Sequence, residues 1–160
     1  MKRKDFLGKL LEKGKIELVE PSEELKEAYL KKSRSNFESA RILSLNDMYE
    51  ESVSLAYYSM YNMLQALFLR AGFKSENHAA SIILLKRIFD IDNEKISFAK
   101  KERIDKQYYV DSSITQKEVD ELLKIAEDFN SSIYDFISRL DNEQISSYRE
   151  KFEKLVRAGS

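Results

Sequence analysis

The chain carries no charged residue between Glu51 and Arg70. Val53, Ala56, Tyr57, Met60, Leu64, Leu67, Phe68 and Ala71 recur there at the spacing of one helix face. Leu55, Tyr58, Met63 and Leu69 make most of the remaining circumference apolar as well. A helix that is apolar nearly all round is expected at the centre of a fold, packed on several sides. The alternative is a membrane span. Ser52, Ser54, Ser59, Asn62, Gln65 and three tyrosines oppose it, because each polar group would need a partner in lipid. Asp47 with Glu50 three residues on predicts a capping box at the start of this helix. Gly72 predicts a left-handed stop at its end.

The flanking segments read as further helices. Residues 3–13 form a short amphipathic helix ended by Gly14, and Ile16, Leu18 and Val19 then alternate without an evident strand partner. Pro21 and Ser22 open a helix that runs to about Leu45, with Leu25, Ala28, Tyr29, Phe37, Ala40, Ile42 and Leu43 expected inward. Its outer face carries Lys26, Lys31, Lys32, Arg34 and Arg41, either a solvated face or a stripe for phosphate. After a polar loop at 73–77, residues 79–89 are apolar and helical. Residues 94–107 form a polar helix that buries only Ile96, Phe98, Ala99 and Ile104, and the chain leaves it over 108–113. Thr115 and Glu118 form a strict capping box for a helix reaching Leu140, and Asp141 and Gln144 begin the last one. With four glycines, one proline and almost no strand signal, the fold class is all-α. The expected architecture is an antiparallel up-and-down bundle of four to five core helices with extra short terminal helices. The expected division is 1–20 as terminal helix and connector, 21–140 as the bundle, and 141–160 as an accessory helix.

Composition removes several kinds of chemistry. There is no cysteine, so disulfides and thiolate metal sites are excluded and a cytoplasmic location is expected. A single histidine excludes His-rich metal sites and the paired Glu-x-x-His ligands of di-iron bundles. No metal and no cofactor are expected. Net charge is −1, so any contact with nucleic acid must come from a local patch. The basic start of the chain lacks the apolar stretch of a secretory signal. Phosphate-binding glycine loops and nucleophile elbows are missing.

What remains is a polar set near the central helix. The run AYYSMYNMLQALFLRAGFKSENH, residues 56–78, resembles the signature helix, loop and histidine of HEPN domains, and most closely the branch related to the C-terminal domain of sacsin. ESARIL at 38–43 and Arg103 followed by Tyr108 fit the same pattern. The resemblance implies a helical bundle, often a homodimer, that accompanies a nucleotidyltransferase as in toxin–antitoxin modules. It further implies nucleotide or RNA binding, or metal-independent RNA cleavage. The ribonuclease members pair an arginine with a histidine shortly after it on a late helix, whereas no histidine follows Arg103 here.

On this basis His78 and Arg103 are the candidate catalytic residues, and Tyr58, Asn62, His78, Arg103 and Tyr108 the candidate ligand-binding residues. Each has a plainer reading. His78 at a loop–helix junction can simply satisfy backbone groups. Tyr57, Tyr58 and Tyr61 can be core residues with paired hydroxyls. Asn62 and Gln65 either join helices or face a polar cleft. The cluster Lys100, Lys101, Arg103 and Lys106 is either a solvated face balanced by Glu102 and Asp105, or a phosphate clamp. A third role is a non-catalytic adaptor in which the aromatic helix is a dimer seam. No membrane contact is expected.

Overall fold

The computed structural model describes residues 5–108 and 113–158. The expected helix exit at 109–112, the first four residues and the expected frayed end at 159–160 lie outside them. The described residues form seven helices: α1 (Phe6–Glu12), α2 (Glu23–Leu45), α3 (Tyr49–Ala71), α4 (His78–Arg87), α5 (Glu94–Tyr108), α6 (Gln116–Arg139) and α7 (Asn142–Ala158). Two short strands, β1 (Ile16–Leu18) and β2 (Phe73–Ser75), complete the fold. The all-α class holds, and no described helix is long and apolar enough to cross a membrane.

The uncharged helix α3 is the axis. It packs against α2, α4, α5, α6, α7 and β2. Ala56, Tyr57, Met60, Leu64, Leu67 and Phe68 are wholly buried. Burial of each large side chain stabilises the fold by about 1.5–3 kcal/mol. Serines bridge the helices around it. Ser33 Oγ donates to the Ser59 carbonyl at 2.7 Å, Ser52 Oγ donates to the Ala40 carbonyl at 2.7 Å, and Asn130 Nδ2 donates to Ser59 Oγ at 3.1 Å. These bonds tie α2 and α6 to the axis.

The start of α3 differs from expectation. Its N-cap is Met48, with no side-chain cap, and Asp47 sits at φ 61°. The Met48 N–H donates to the Leu43 carbonyl and the Asp47 N–H to that of Ser44. That is a Schellman closure of α2 with Asp47 in the left-handed position, which a short polar side chain tolerates. In so tight a turn, stopping α2 took the residue that would have capped α3. The caps at Ser22, Thr115 and Asp141–Gln144 form as the sequence predicts.

Residues 16–18 of that alternating stretch do find a strand partner. β1 pairs antiparallel with β2, Ile16 opposite Ser75 and Leu18 opposite Phe73, so the expected polar loop is partly a strand. The partner is remote in sequence, and no local pattern marks it. The same connector follows the end of α3: Val19 N–H donates to Gly72 O and Ser22 N–H to Leu69 O, both at 2.9 Å. Arg149 of α7 donates to Val19 O and Gly72 O, each at 2.7 Å. Phe152 of α7 meets Phe73 edge-on with centroids 5.4 Å apart. Both terminal segments therefore lie against the C-terminal end of α3.

Several inward assignments fail. Leu25, Ala28 and Ile42 of α2, and Phe98 and Ile104 of α5, are exposed. In α2 the buried stripe runs through Leu30, Ser33, Ala40 and Ser44, where small residues allow close approach to α3. An apolar residue beside such a stripe is left outside.

Candidate functional site

Helical spacing decides which α3 side chains meet. Tyr57 and Tyr61 are one turn apart and both face the start of α4. Tyr58, Asn62 and Gln65 follow one another along an adjacent row. Asn77 caps α4 by accepting from Ala80 N–H at 2.9 Å, which places His78 at the first helical position. There Tyr57 Oη and His78 Nδ1 are 2.8 Å apart. The imidazole lies flat on the Tyr61 ring, with centroids 3.7 Å apart and planes 13° from parallel.

Tyr61 is itself fixed. Gln65 Nε2 donates to its hydroxyl at 2.7 Å, and that hydroxyl meets Ser81 Oγ at 3.3 Å. Ser81 Oγ donates on to Ser75 Oγ at 2.7 Å. The platform under the histidine is thus braced from α3, β2 and α4.

Arg103 approaches from α5. Its guanidinium carbon lies 4.8 Å from the centre of the Tyr58 ring and 5.9 Å from that of Tyr57. Its Nε is buried and has no hydrogen-bond partner among the described residues. Tyr57 therefore separates an imidazole from a guanidinium, and the two groups expected to share a site lie against one ring.

The electrostatics follow from this placement. Burial pushes the Tyr57 phenol far up, more than the nearby Arg103 charge offsets, so it stays protonated. Burial, then the charges of Lys100 and Arg103, hold His78 below the usual histidine value. The imidazole is thus neutral near pH 7. The ring tautomer sets which of the two donates: when the Tyr57 hydroxyl donates to Nδ1, the imidazole proton sits on Nε2. Because the folded value is depressed, His78 favours folding above its unfolded pKa, near 6.5, and that contribution is lost as pH falls through the lower folded value. Denaturant melts of wild type should lose stability over this acid range. The loss should be smaller in His78→Gln, and parallel curves would refute the assignment.

A cavity of about 520 Å³ opens beside the cluster. Tyr58, Tyr61, Asn62, Gln65 and Leu69 of α3 line one wall, Leu25, Tyr29 and Lys32 of α2 another, and Lys74, Ser75, Glu76 and His78 close the end. Of the expected ligand-binding residues, Tyr58, Asn62 and His78 line it. Arg103 lies against Tyr58 and is not part of the lining. The α5 helix ends at Tyr108, whose side chain lies outside the described residues. The expected basic cluster divides. Lys100 and Arg103 act on His78, whereas Lys106 pairs with Glu118 at 2.9 Å. Arg70 is used elsewhere, with its Nε 2.7 Å from Glu23. Tyr29 is expected inward and Lys32 on a basic face, but neither is assigned to this site from sequence, and Ser75 and Ser81 carry no sequence signal; only tertiary packing brings the four here. Among the described residues, no group of acidic or histidine side chains could hold a metal ion.

The HEPN domain family matches residues 26–136. The chain belongs to that family. The match spans α2 through most of α6 and includes Tyr58, His78 and Arg103, while α1, β1 and α7 fall outside it. It makes the chain a HEPN domain, a helical domain of a nucleotide- and RNA-related family. No curated protein matches the chain.

Proposed function

We propose that this HEPN domain binds a nucleotide, free or as part of RNA, with its phosphate held by His78 and Arg103 and its base in the adjoining cavity. The observation behind this reading is the guanidinium of Arg103, held against Tyr58 with a buried Nε that no described residue satisfies. A buried donor on a cation is costly unless an acceptor reaches the group, and phosphate oxygens match a guanidinium in paired fashion. His78 supports it: a neutral imidazole with its proton on Nε2 donates to a phosphate oxygen without bringing a second full charge. Tyr58 and Tyr61 offer ring faces and Asn62 an amide for the base or sugar.

Family resemblance extends the proposal to the chain's setting. The domain acts in the cytoplasm with a nucleotidyltransferase, in a toxin–antitoxin-like module of the sacsin-related branch, and pairs as a homodimer. Exposed Ile42, Leu45 and Met48 at the α2–α3 turn are available to such a contact.

Calorimetry with ATP, ADP and short RNA tests the ligand. Wild type is expected to bind at least one of them. Loss of a charged hydrogen bond worth about 1.5–3 kcal/mol predicts binding by Arg103→Ala weaker by about ten- to a hundred-fold. Equal binding by the variant, or none by wild type, overturns the proposal.

A further inference from the structure

Gln65 is the one side-chain amide in the cavity wall whose orientation the fold fixes. Its Nε2 donates to Tyr61 Oη at 2.7 Å and to the Ser75 carbonyl at 3.1 Å, so both amide hydrogens are used. Reversing the amide would set its oxygen against the Ser75 carbonyl, acceptor against acceptor. The backbone of β2 therefore dictates which end is nitrogen. Oε1 accepts from no described residue, and it is not among the sealed, partnerless polar atoms of the structure. Gln65 lines the cavity. The wall thus presents a carbonyl oxygen that can only accept. It cannot rotate to donate, unlike Asn62 one turn earlier, whose amide no described residue constrains by a hydrogen bond.

Taking the nucleotide reading above as its basis, we infer that Gln65 makes the cavity select nucleobases that present an exocyclic amino group, as adenine and cytosine do, and reject uracil. An amino hydrogen completes the hydrogen bond that Oε1 lacks. The 4-carbonyl of uracil at that position sets two acceptors facing each other, which weakens binding. Discrimination by a site built to pair a polar group is larger than any a tyrosine face supplies, because every base has a face to stack. The relay from Tyr61 through Ser81 to Ser75 makes the selection rigid. Moving Gln65 would release the ring that supports His78.

The test is calorimetry on the full chain with two sets of 5′-monophosphates. In one, adenosine is compared with purine riboside, which lacks only the amino group. In the other, cytidine is compared with uridine, which exchanges amino for carbonyl. The amino-bearing member should bind about tenfold or more tightly in each set. Gln65→Met should bring both ratios near unity. Equal binding within the wild-type sets, or ratios unchanged in Gln65→Met, overturns the inference while leaving the nucleotide reading standing. If no nucleotide binds, the reading itself fails and takes this inference with it. The wild-type ratios decide the matter even if the variant does not fold.

Discussion

Gly72→Ala should destabilise the protein by about 3–5 kcal/mol, near the top of the range for single substitutions. Gly72 ends α3 at φ 83°, a conformation that costs a residue with a Cβ about 1–2 kcal/mol. Strain is the smaller part. A Cβ there would stand 2.5 Å from the Val19 carbonyl oxygen and would also collide with Nη1 of Arg149. The arginine could swing aside, but only by giving up its bonds to Val19 O and Gly72 O. The carbonyl belongs to backbone that is hydrogen-bonded back to Gly72 and cannot yield cheaply. The control is Gly14→Ala. Gly14 also has positive φ, at 67°, yet a methyl group there would meet nothing within 4 Å. It should cost only the conformational share, about 1–2 kcal/mol. Denaturant unfolding of both variants measures the difference. Equal losses would show that the close approach of connector, α3 and α7 contributes nothing.

Phe73→Ala should cost a similar amount, about 3–5 kcal/mol, by leaving a cavity where three elements meet. Phe73 is 2% exposed. Its ring centroid lies 6.0 Å from that of Phe68, 5.4 Å from Phe89 and 5.4 Å from Phe152. The last two contacts are edge-on, the geometry in which ring quadrupoles attract. One ring therefore joins α3, the turn after α4 and the terminal helix α7 through a three-residue strand. Removing it should weaken α7 more than α2, so hydrogen exchange should accelerate over 145–156 before it does over 30–40. Phe73→Leu should recover much of the stability. Uniform acceleration along the chain would mean that α7 is not docked through this ring. A functional effect is expected as well. Phe73 anchors β2, and β2 supplies the Ser75 carbonyl that orients Gln65.

These two neighbours show where sequence reasoning stopped. The uncharged run from Glu51 to Arg70 determined the central helix, because no other arrangement removes so many apolar side chains from water. Thr115 and Asp141 marked helix starts, since a cap is a local bond between residues three apart. Asp47 misled for the same reason. Two local motifs competed for one residue, and closing α2 prevailed. Leu25 and Ile42 are exposed because the buried stripe of α2 is defined largely by small residues, which give no hydrophobic signal.

The candidate site divides along the same line. The sequence by itself determined that Tyr57, Tyr58, Tyr61, Asn62 and Gln65 share neighbouring faces of one helix, because helical spacing is a property of the backbone. It also singled out His78 and Arg103 as the groups to place against them. Only the tertiary structure decided that both lie against Tyr57, that α2 supplies a cavity wall, and that a strand pairing across the chain fixes the Gln65 amide. Those relations join residues separated by turns and whole helices, and their geometry is set by how the helices pack rather than by any local preference of the chain.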